Sequence, residues 1–111
     1  MDATKYSNLV HYLRDNKNPA GLTKQQRDVL RRCSKQYTFD VQSGSLFYVD
    51  LRKDGSTFKR MVIQEHEKVR VFDECHSSPF AGHVGRDNTV QKIKERYYWP
   101  TYYQDTVEMV S

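Results

Sequence analysis

The stretch "ECHSSPFAGHVGRDNTVQKIKERYYWP", residues 74 to 100, places two of the four histidines of the chain close together and then runs into an aromatic knot ending in proline. Val69, Phe72 and His76 recur at i, i+3 and i+7, the spacing that brings residues to one face of a helix, so a helix is expected to close near His76. "SSPFAG" breaks it, and Gly82-His83-Val84-Gly85 leads tightly into a further helix expected to carry Val90, Ile93 and Tyr97 on one face. Trp99-Pro100 must interrupt that helix, because proline disfavours a helical residue before it but suits the first turn of a new helix. "TYYQDTVEMVS" then opens another helix.

Upstream, Tyr6, Leu9, Val10 and Leu13 trace one apolar helical face over residues 6 to 16, and "NKNPAG" stops it. Thr23 with Gln26 three residues later reads as a capping box for a second helix. On that helix Val29, Leu30, Cys33 and Tyr37 fall on one side, while Lys24, Arg27, Arg31 and Lys35 form a basic stripe on the other. The period then changes to two. Tyr37, Phe39 and Val41 alternate, and "SLFYVDL" and "TFKRMVI" are rich in β-branched and aromatic residues. "QSGS" and "KDGS" separate these runs, predicting an antiparallel meander of two or three strands, with Asp54-Gly55 supplying a tight turn. The fold class is α+β: two N-terminal helices with a small meander, followed by a small all-α unit. The expected division is residues 1–64 and 65–111.

With 111 residues, 37% of them hydrophobic, the chain can build one modest core or two very small ones, which leaves no room for a deep catalytic cavity. No run approaches a membrane span, and the first residues lack the layout of a signal peptide. Cys33 and Cys75 are too few for a disulfide framework and are expected to be reduced, in a nuclear or cytoplasmic protein. The formal net charge is +4, and it is uneven: residues 1–64 carry 12 Lys and Arg against 6 Asp and Glu, whereas residues 65–111 carry 6 against 8. A basic first half suits a polyanion. A solvated helix face is the plainer reading of the stripe, and packing is the plainer reading of Tyr97, Tyr98, Trp99, Tyr102 and Tyr103, with Trp99 as the core anchor. Neither paired carboxylates nor a phosphate-cradling glycine loop nor a Ser/His/Asp set is present, and no small-molecule substrate is expected.

A histidine closing a helix and another in the loop beyond can converge on one tetrahedral zinc ion, but a closed site needs four side chains. Cys75 lies about 100° around the helix from its neighbour His76, and Cys33 is remote. The order C-H-x6-H-x-G, then T-x3-I-x3-Y-Y-W-P, then Asp105 resembles the HHCC zinc-binding N-terminal domain of integrases, especially those of gypsy-type retrotransposons and host proteins domesticated from them. The preceding helices and meander, with "SLFYVD", resemble the N-terminal extension domain of such integrases. The resemblance implies that His76 and His83 are zinc ligands in the parent protein, completed by a C-x2-C pair expected just beyond Ser111. Zinc is expected to bind weakly or not at all without that pair. It further implies a non-catalytic region, separate from the DDE core, that binds DNA and helps assemble integrase multimers as a homo-oligomer, whereas contact with DNA phosphates is the sharper reading of the basic stripe Lys24, Arg27, Arg31 and Lys35. The alternative is a protein-interaction module of a domesticated host protein that no longer handles DNA.

Overall fold

The computed structural model describes residues 1–76 and 86–110, the side chains of His76, Arg86 and Asp87 excepted. Helix α1 spans Ala3–Asp15. It begins before the apolar pattern does because the Asp2 carboxylate accepts from the backbone N–H groups of Thr4 and Lys5, two of the donors a helix start leaves orphaned. Asn16, at φ 56°, ends it in a left-handed cap. Helix α2 spans Lys24–Ser34 and opens with the expected capping box: Thr23 Oγ1 accepts from Gln26 N at 3.1 Å, and Gln26 Oε1 accepts from Thr23 N at 2.9 Å.

Strands β1 (Tyr37–Asp40), β2 (Ser45–Leu51) and β3 (Thr57–Val62) form the meander, with Tyr37 opposite Tyr48 and Tyr48 opposite Arg60. Gly55 adopts φ 89°, open to glycine without strain, and its N–H donates to Arg52 O at 3.0 Å to close the second turn. A 3-10 turn at Glu65–Glu67 leads into α3 (Lys68–His76), and α4 (Arg86–Arg96) and α5 (Tyr102–Val110) complete the helices.

Two expectations for the second part of the chain need correction. Tyr97 does not extend the face of α4: Tyr97–Tyr98 form a fourth strand, β4, parallel to β3, with Tyr97 beside Met61 and Tyr98 beside Val62. The Trp-Pro pair keeps this segment out of the helix, and the freed backbone finds a ladder, where Ile63 N–H donates to Tyr98 O at 2.8 Å. The meander is thereby enlarged into a mixed four-stranded sheet in the order β1-β2-β3-β4. Val69, expected to face inward, is 62% exposed, because α3 rolls to bury Val71, Phe72 and Cys75 instead.

The core is one cluster. Leu9, Leu30, Tyr37, Leu46, Val62 and Ile63 from the first part of the chain join Val71, Phe72, Cys75, Ile93 and Trp99 from the second. Trp99 is fully buried, edge-on to Phe72 and Tyr102, as its expected role as anchor requires. The opposite face of the sheet carries the row Thr38, Phe47, Met61, Tyr97, which stays half-buried or exposed. Among the described residues no helix is long and apolar enough to cross a membrane.

Candidate nucleic-acid interface and metal positions

The register of α2, fixed by its capping box, decides what the basic stripe becomes. Lys24 takes the first helical position, and Arg27 and Arg31 follow on the same flank at i+3 and i+7. The structure gathers these three with Tyr12, Asn18 and Asp28 around a shallow concavity of about 260 Å³ where the end of α1 meets α2. Lys35, the C-cap residue, stands one turn further along. Arg27 Nη1 donates to Leu22 O at 3.1 Å, so its guanidinium is held against the chain leading into the helix. Arg31, largely exposed, pairs with the partly exposed Asp28 at 3.6 Å, an arrangement worth at most about 1 kcal/mol. Asp28 therefore dilutes the stripe without removing it. Exposed cations at helical spacing can meet successive phosphates, which positions a partner but reads no base sequence.

On the other side of α2, Leu9, Leu22, Val29, Leu30 and Cys33 line an apolar groove of about 460 Å³ rimmed by Lys5. Val29, expected on the packed side, is 50% exposed here, since α1 covers Leu30 but not its neighbour. The Cys33 thiol thus belongs to this groove, in the first half of the chain.

Of the two expected zinc ligands, His76 is the last residue of α3, and its side chain lies outside the described residues, as does all of His83. Cys75, beside His76, is turned into the core at 4% exposure, and burial pushes its thiol pKa up, the reverse of what a thiolate ligand needs. Among the described residues no three His, Cys, Asp or Glu side chains converge on a point.

Two polar centres hold roles that the sequence did not reveal. Asp105 Oδ2 accepts from Lys68 Nζ at 2.8 Å, Trp99 Nε1 at 2.7 Å and Thr101 Oγ1 at 2.8 Å, tying the start of α5 to the start of α3. Lys68 also donates to Glu65 at 2.8 Å. Arg60 is the second, a 1% exposed cation within the sheet. Its signal was present in the alternation Phe58, Arg60, Val62, which sets a charge at an inward strand position.

Residues 63–111 match the family model described as the integrase zinc binding domain. Over nearly its whole length the chain is related to gypsy retrotransposon integrase-like proteins. It is 28% identical over 102 residues to "Gypsy retrotransposon integrase-like protein 1" of Homo sapiens, covering 92% of this chain, and equally similar over that span to the Mus musculus protein of the same name. It is also 32% identical over 77 residues, 69% of this chain, to the "Pro-Pol polyprotein" of feline foamy virus, of which that covers 6%. The chain spans 19% of the length of the gypsy integrase-like relatives.

Proposed function

We propose that this chain is a non-catalytic DNA-contacting and assembly region of an integrase-like protein, in which residues 1–64 form the basic extension and residues 65–111 the zinc-binding unit. The observation that carries this reading is the similarity to gypsy integrase-like proteins across both parts of the chain, joined to a solvent-facing basic flank on α2. Lys24, Arg27, Arg31 and Lys35 would contact phosphates. His76 and His83 would supply the imidazole half of a structural zinc site whose thiolates neither Cys33 nor Cys75 is placed to provide.

Titration of duplex DNA into the chain at two salt concentrations tests this. Binding should weaken steeply with salt, and the double charge reversal Arg27→Glu with Arg31→Glu should cost at least tenfold in affinity and lower the salt slope by about 2. An affinity and slope untouched by the reversal would leave the stripe a solvated surface only. The alternative, a protein-interaction module without DNA binding, is favoured by one feature: the uncovered sheet face, where Met61 is 36% and Leu51 68% exposed beside half-buried Phe47 and Val49. Light scattering alongside the titration separates self-association from DNA binding.

A further inference from the structure

Arg60 has more partners than its strand requires. Nη1 pairs with Asp50 Oδ2 at 3.0 Å on β2, and Nε donates to Tyr97 O at 3.0 Å on β4. Its guanidinium carbon lies 5.1 Å from the Tyr98 ring centre and 4.5 Å from that of Tyr102, at the start of α5. Nη2 is buried without a hydrogen-bond partner among the described residues, left to the electron-rich ring faces. Around it Tyr98 stacks on Tyr48 at 3.8 Å and meets Tyr37 edge-on.

The division of these contacts along the chain is informative. Arg60, Asp50, Tyr48 and Tyr37 belong to the meander, while Tyr97, Tyr98 and Tyr102 come from the far side of the zinc-binding unit. Beyond the shared core, the backbone pairing between them is β4, which has only two residues and makes a correspondingly short ladder. A buried ion pair is a poor source of stability, since apolar residues of similar size often do as well. If stability of the meander were all that mattered, a valine or methionine would suit this inward position. Only a planar fork reaches a carboxylate, a backbone carbonyl and two ring faces together, and lysine cannot.

We propose that Arg60 is a latch: it binds the Tyr97–Tyr98 segment to the meander so that the extension and the zinc-binding helices open and close as a single conformational unit. A disturbance on α2 or α3 is then felt in the other half, whereas two units joined only by a linker would respond separately.

Native-state hydrogen exchange of the whole chain in rising urea tests the latch. Amides of α1 to β2 and of α4 to α5 should show opening constants within about threefold of each other. In Arg60→Met the α4 to α5 amides should exchange at least about tenfold faster, while those of α1 to β2 change less than about threefold. Arg60→Lys, which keeps the charge and most of the stem, should shift the same segments in the same direction. The latch is refuted if the wild-type halves already open at different urea concentrations, if either variant accelerates or unfolds both halves alike, or if neither variant separates them.

Discussion

Asp105 works against its own surroundings. Burial pushes its carboxyl pKa up, but hydrogen bonds from Lys68, Thr101 and Trp99, with the Lys68 charge, more than offset this and hold it below its ordinary value of 3.8. A carboxylate with a lowered pKa in the fold adds stability that is complete above the unfolded value and drains away as pH falls through the folded one. Urea midpoints should therefore drop as pH is lowered below about 4, and Asp105→Asn should make that acid limb shallower while costing about 1.5–3 kcal/mol at pH 7. An acid limb of unchanged slope in the variant would show that other carboxylates carry it. The motif containing Asp105 was readable in the sequence, but its job was not, because Lys68 and Trp99 converge on it only after α3 and α5 have packed.

Elements were legible where their determinants are local. The capping box of α2 needs two residues three apart, and the Asp54-Gly55 turn needs two neighbours, so both stand where the sequence put them. Removing the cap oxygen with Thr23→Ala should cost about 1 kcal/mol in urea denaturation, and Thr23→Ser should restore most of it. A Thr23→Ala chain as stable as the wild type would mean that α2 is held by packing alone. The elements misjudged are those whose partners lie far along the chain. Tyr97 and Tyr98 become a strand only because the edge of β3 is free beside them, and Val69 turns outward because Ile93 and Trp99 offer a surface that Val71, Phe72 and Cys75 fit. The basic flank of α2 follows helical period and was legible for that reason. The convergence of His76 with His83 lies outside the described residues.

For the molecule as a whole, the two thiols sit in contrasting places. Cys75 is buried in the shared core with a raised pKa, so little thiolate forms and a reagent reaches it only when the fold opens. Cys33 borders the open groove between α1 and α2. Labelling with an aromatic disulfide reagent at neutral pH should give a fast phase, abolished by Cys33→Ser, and a slow one that merges with it in denaturing urea. Equal rates in native buffer would contradict the placement of Cys75 in the core.

The solitary indole of the chain lies shut away where α3, α5 and the tip of the sheet meet, its N–H tethered to a carboxylate. Its ultraviolet emission is thus a native optical gauge, requiring no attached dye, that registers any ligand or partner loosening this three-way junction and stays silent to events confined to the distant rim of α2.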